Sequence, residues 1–119
     1  MTKDDKELLL QDLCARLPYG VQCEVGGLRY EPYTFVGKDI EDLMEGRMFK
    51  PYLRPMSSMT EEEEIEYDAT FATIKVDGHY DSTMTYKSFD FLNAHYFDYR
   101  GLIQRGLAIE VTKDNNPYK

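Results

Sequence analysis

The hydrophobic period changes near residue 20, and this change limits the fold more than any other feature. Before it, Leu10, Leu13, Cys14 and Leu17 recur at i, i+3, i+4 and i+7, which places them along one face of a helix over residues 3–17. Leu8 and Leu9 widen that stripe, as suits packing on a sheet. Thr2 is placed to cap the amino end, with Asp5 three residues on to complete a capping box, and Arg16 suits the carboxyl end of the dipole. Pro18 and Gly20 stop the helix. After it the period is 2: Val21, Cys23 and Val25 alternate with Gln22 and Glu24, the pattern of a strand with one buried face. Gly26-Gly27 permits a two-residue hairpin turn, and Leu28 and Tyr30 carry the inward face onto the returning strand. A helix that gives way to a hairpin points to an α+β domain, an antiparallel sheet with helices packed against it.

The rest of the chain extends this plan. Pro32 breaks the pairing or confines it to an edge, and Tyr33 to Val36 reads as a further strand. Residues 39–46 set Ile40, Leu43 and Met44 among acids, which fits one helical turn or a short irregular connection. Arg47 to Pro55 holds two prolines and reads as an extended link or edge strand. A helix begins within Ser57–Glu64, where Ser58 with Glu61 and Thr60 with Glu63 both have capping-box spacing, and it should end near Ala69 or Phe71. In residues 70–86 helix and hairpin compete, because a β-branched run meets the turn signal Asp77-Gly78. Phe89, Leu92 and Tyr96 restore the helical period from Lys87, with Ser88 as a cap. Asp98 is placed to cap a short turn containing Leu102 and Ile103, and Gly106 lies just past its end. Leu107, Ile109 and Val111 alternate as a last strand, and residues 111–119 read as a frayed tail.

A chain of 119 residues is one domain, 1–119, and 42% hydrophobic with 30% charged residues is a globular balance. Mixed charges across Met1–Leu17 leave no signal-peptide core, and no apolar run approaches the ~18 residues of a membrane span. The two cysteines form no Cys-x-x-Cys pair, so the reading is a cytoplasmic protein with Cys14 and Cys23 reduced and buried. The net charge of -8 argues against a phosphate-binding face and hence against direct nucleic-acid binding. The negative field is local, since residues 60–81 hold eight acids against the single base Lys75. The plain account is a solvated, well-capped helix; the sharper one is a surface offered to a basic protein partner.

Few residues suggest chemistry. His79 and Asp81 fall short of the three or four ligands a metal needs and read as a solvated loop. His95 sits near a helix end with Asp98 as a local partner, and Cys14 falls on the apolar stripe, where core packing is the better reading. Arg47 to Arg54 interleaves basic and aromatic residues, a mix that can hold a single strand, yet the local field is too weakly basic. Met44, Met48, Met56 and Met59 cluster around the prolines, as core filling or as an adaptable surface. His95, Asp98, Tyr99 and Arg100 form the densest polar cluster. Within it Asp98 has a capping duty and Arg100 has none legible from the pattern. Tyr99 and Arg100, with the acidic Glu61, Glu62 and Glu64, are therefore the candidate interaction surface. No catalytic, cofactor-binding or metal-binding residue is assigned.

Two blocks, KPYLRPMSSMTEEE at residues 50–63 and DFLNAHYFDYRGLI at residues 90–103, the latter followed by Gly106-Leu107-Ala108, are specific in wording. They resemble signatures shared by short proteins encoded by anaerobic gut bacteria and their mobile elements, a family with no assigned reaction, cofactor or partner. The resemblance covers about a quarter of the chain. It implies a bacterial or phage origin and a shared fold, and it carries over no functional residue. The expectation is a non-enzymatic protein-interaction or regulatory module. The alternatives are an acidic decoy of a nucleic-acid-binding protein and a small enzyme whose pocket the sequence does not reveal.

Overall fold

The structure, a computed structural model, describes residues 1–26 and 28–119. Helix α1 (Lys3–Arg16) opens with the expected capping box, Asp5 N–H donating to Thr2 Oγ1 and the Asp5 carboxylate accepting from Thr2 N–H. Its buried face is not the expected one. Leu9, Asp12, Leu13 and Arg16 point inward, one position out of step with the Leu10, Leu13, Cys14, Leu17 stripe, and Cys14 is exposed. Leu8, Leu10 and Leu17 are only partly buried against the core. The shift is possible because Asp12 and Arg16 pair with each other, so the inward stripe carries no unpaired charge (below).

The chain then turns through Gly20 into β1 (Gln22–Val25), whose Cys23 and Val25 are buried as the period of 2 requires. Strand β2 (Leu28–Thr34) returns antiparallel to it. The Gly27 half of the expected turn, and the inward placement of Leu28 and Tyr30, lie outside the described residues. Pro32 sits within β2, which runs along the sheet edge as its missing donor demands; no separate strand spans Tyr33–Val36, since Tyr33 and Thr34 still pair with β1. After a short α2 (Asp39–Met44) comes β3 (Phe49–Leu53). This corrects the reading of an edge strand or link: β3 is interior, between β1 and the short β6 (Ile109–Glu110). Pro51 is tolerated there because it faces Cys23 at a position where the β1 ladder needs no bond, and β6 pairs only with Tyr52 and Leu53. The sheet order is β2-β1-β3-β6, antiparallel except for the parallel β3–β6 pair.

Leu9 and Leu13 of α1, Val21, Cys23 and Val25, Phe35, Leu43, Phe49 and Leu53, and Leu102 and Leu107 form one core. Phe35 and Phe49 meet edge to face with centroids 5.2 Å apart. The domain is thus a small α+β unit. Among the described residues, no helix is long and apolar enough to cross a membrane.

Residues 61–94 form a second layer of structure. Helix α3 (Glu61–Asp68) starts at Thr60, whose hydroxyl accepts from Glu63 N–H while the Glu63 carboxylate accepts from Thr60 N–H. Ser58 is not a cap; it belongs to a 3-10 turn, and its hydroxyl donates to Pro55 O. The competition in residues 70–86 resolves as a hairpin, β4 (Ala72–Val76) with β5 (His79–Thr83), turned by Asp77 and Gly78 at φ 48° and 83°. Helix α4 (Tyr86–Ala94) is capped by Thr85 and not by Ser88; Ser88 supplies the reciprocal bond, its hydroxyl accepting from Thr85 N–H. The hairpin strands share no comparable packing with any other element, which fits a molecule 54 Å long and 31 × 24 Å across.

The last residues are held down and not frayed. Tyr118 stacks on Tyr96 with centroids 3.6 Å apart, accepts from Gln22 N–H, and donates to Tyr52 O. Burial raises its phenol above the usual tyrosine range.

Candidate functional site

The polar cluster expected at His95, Asp98, Tyr99 and Arg100 divides among three places. Asp98 does the capping work its sequence position suggests: its two carboxylate oxygens accept from Leu102 N–H and Ile103 N–H, each at 2.9 Å. The turn it caps closes with Leu107 N–H donating to Leu102 O and Gly106 N–H to Ile103 O, the paired bonds of a helix-end motif, with Gly106 at φ 73°. His95 does not meet Asp98. Its Nδ1 lies 3.4 Å from Glu63 Oε2 on α3.

Arg100 does not face outward. Its Nε stands 3.3 Å from Asp12 Oδ1, and its Nη2 donates to the Tyr99 hydroxyl at 3.1 Å. Asp12 is fully buried and already gripped by Arg16, whose Nε and Nη2 donate to the two carboxylate oxygens at 2.9 and 3.0 Å. Arg16 Nη2 also donates to Phe97 O at 2.6 Å, and both guanidinium groups lie near the Tyr99 ring. Tyr99 donates onward to Asn93 Oδ1 at 2.9 Å. The cluster therefore stitches α1 to α4 and to the Phe97–Arg100 segment. Arg100 and Tyr99 are ion-pair and hydrogen-bond partners of the interior with partial exposure. The sequence signal for the missed pair was present: Asp12 precedes Arg16 by four residues, the favourable orientation on a helix.

Besides the approach of His95 to Glu63, an ion pair and an aromatic stack dock helix α3. Arg54 grips Glu63 with both forks, Nη1 to Oε2 and Nη2 to Oε1, each at 2.7 Å, and its guanidinium lies 4.2 Å over the Phe97 ring. The bonds from Arg54 hold the Glu63 carboxyl down at about 2, burial opposes them, and the Thr60 N–H adds to the lowering. One turn on, Tyr67 stacks on Phe91 of α4 at 5.7 Å. Glu63 is thus the one member of the glutamate run turned inward. Glu61, Glu62 and Glu64 are exposed.

A groove of about 670 Å³ opens where α3, the hairpin base and α4 meet the body; Met56, Tyr67, Met84, Phe89, Tyr99 and Ile103 supply its apolar walls. Phe89 and Tyr99 meet edge to face at 5.7 Å. The sequence reading names several of the groove's lining residues for other duties, Phe89 and Leu92 in a helical period, Asp98 and Ile103 in a capped turn, Met56 in the methionine cluster and Tyr99 in the polar cluster, but no local pattern brings them together with Tyr67 and Met84. The hairpin above it is exposed from Thr73 to Ser82. Register puts Ile74 and Val76 on one face with His79 and Asp81, and Lys75 and Tyr80 on the other. His79 and Asp81 therefore stand on a strand, not in a loop. No family model, curated protein or solved structure matches this chain.

Proposed function

We propose that the protein is a non-enzymatic interaction module of a bacterial or phage-borne cytoplasm, and that it presents the β4–β5 hairpin and the outer side of α3 to a protein partner. The observation that carries this reading is the arm itself. An ordered two-stranded hairpin, with Ile74 and Val76 over 40% exposed and Tyr80 at 73%, adds nothing to the core. Each ordered residue costs roughly 1–2 kcal/mol of backbone entropy, and a free two-stranded hairpin is marginal in water. A surface of this kind repays its ordering when something covers it. The exposed carboxylates of Glu61, Glu62 and Glu64 in the first turn of α3 favour a basic partner. Against an enzyme stands the dispersal of His95, Asp98 and the Tyr99–Arg100 pair into three separate duties.

The test is capture from native lysate with the wild type and with an Ile74→Ser/Val76→Ser/Tyr80→Ser variant as baits. Those side chains are exposed, so the variant should keep its melting temperature. A protein retained by the wild type, lost on the variant and released by salt is the expected result. Equal retention on both baits, or none on either, would refute the reading. The narrower decoy role uses the same carboxylates and requires the captured protein to bind nucleic acid through the face it shares with this chain.

A further inference from the structure

The apolar groove adjoins a second hollow of about 380 Å³, lined by Met56, Met59, Glu64, Tyr67 and Asp68. Met56 and Tyr67 line both, so the two hollows adjoin as a trough whose first end is mainly apolar, with Asp98 and Glu110 also on its wall, and whose second end carries Glu64 and Asp68. Among the described residues, no Lys or Arg lines either hollow. Glu64 and Asp68 stand four residues apart on α3 and so share a face, where like charges repel. Their side chains make no ion pair or hydrogen bond among the described residues, in contrast to Glu63 one position away, which Arg54 neutralises. The apolar end has unspent surface: Phe89 is 43% exposed and Met56 37%. Methionine walls adapt to varied apolar shapes.

We propose that this trough docks a basic peptide segment of a partner protein. An aliphatic or aromatic side chain seats among Met56, Met84 and Phe89, and a neighbouring Lys or Arg lies between Glu64 and Asp68. Charge complementarity selects this occupant: an acidic segment would add a third like charge to the helix face, and a purely apolar one would bury two unpaired carboxylates. The groove volume falls within the roughly 300–1,000 Å³ of ligand pockets, room for a short run of peptide side chains. The inference rests on the interaction-module reading and specifies the chemistry of its partner.

Random-peptide display on the full chain supplies the probe, and fluorescence anisotropy with the best selected peptide supplies the measurement. The peptides should carry an aromatic or aliphatic residue beside a Lys or Arg. Glu64→Lys/Asp68→Lys should weaken the selected peptide by about tenfold or more, the scale of a lost interfacial charge pair. Phe89→Asp should weaken it similarly at the apolar end. The charge-matched control Glu41→Lys/Glu45→Lys, at an exposed position of α2 and the exposed residue that ends it, should leave affinity nearly unchanged. Melting temperatures of all variants establish that each is folded. No binder, binders without a basic residue, or binders indifferent to both trough variants would overturn the proposal. Peptides lost only on the Ile74→Ser/Val76→Ser/Tyr80→Ser variant would overturn the trough and leave the module reading standing. Failure of that reading shows separately, as lysate capture that ignores the hairpin.

Discussion

Asp12 is the residue whose loss the interior tolerates least. Two arginines converge on it, one of them fully buried, and Arg16 Nη1 already makes no hydrogen bond among the described residues. Asp12→Ala would leave a buried guanidinium unpaired, and denaturant titration should show a loss of about 3–5 kcal/mol, as when one partner of a buried pair is removed. Arg100→Ala should cost less, about 1–2 kcal/mol, because Asp12 keeps both bonds from Arg16. Equal stability of the Arg100 variant and the wild type would show that its contact with Asp12 contributes nothing. The two cysteines should separate under a thiol reagent. Cys14 is exposed and should label in the native state. Cys23 is buried, with its thiol pushed well above the usual range by desolvation, and should label only on unfolding. Simultaneous native labelling of both would contradict the core assignment of Cys23.

At the scale of the element, α3 depends on its first turn, since none of its residues is buried. Thr60→Ala should lower stability by about 1 kcal/mol, the usual worth of a cap, while Ser58→Ala, outside the helix, should lower it less. A larger effect at Ser58 would relocate the helix start. Glu63 couples the same turn to pH. Its carboxyl titrates near 4.5 in an ordinary setting and at about 2 in the fold, chiefly through Arg54. A folded value below the unfolded one gives stability that is complete above about 4.5 and is lost as the pH falls toward 2. Thermal melts across that window should therefore fall more steeply for the wild type than for Glu63→Gln. Parallel curves would mean that the Arg54–Glu63 fork does not hold α3 down.

For the whole molecule, the body and the arm are separable. The base of the hairpin is fixed by hydroxyls: Thr85 Oγ1 donates to Thr70 O at 2.7 Å, and Thr70 Oγ1 to Ser88 Oγ at 2.8 Å. Beyond that base the strands touch only each other in any quantity. Replacing residues 73–82 with a two-residue Asn-Gly turn should leave the near-ultraviolet circular dichroism of the core intact and change stability by no more than about 1 kcal/mol. Unfolding of this deletion would make the arm part of the folding unit and remove the main argument for its role as a contact surface.

Signals that act over a few residues were legible in the sequence because their physics is local. The capping boxes at Thr2 and Thr60, the alternation of Val21, Cys23 and Val25, the edge placement required by Pro32 and the cap at Asp98 all depend on neighbours within about five positions. Wherever two local readings were nearly equal, the tertiary structure decided. On α1 the stripes beginning at Leu9 and Leu10 differ by one residue of rotation; the inner one wins because Asp12 and Arg16 neutralise each other and Phe97 and Arg100, more than eighty residues away, complete the cage. Strand β3 became interior only when β6 arrived from the far end of the chain. Glu63 and Glu64 are alike in sequence, yet Arg54 draws one inward and leaves the other to line the trough. Which face is buried and which strand gains a second neighbour are set by long-range contacts that no short window along the chain contains, whereas which carboxylate stays free is set by Arg54, nine residues before Glu63, in a geometry that spacing alone does not reveal.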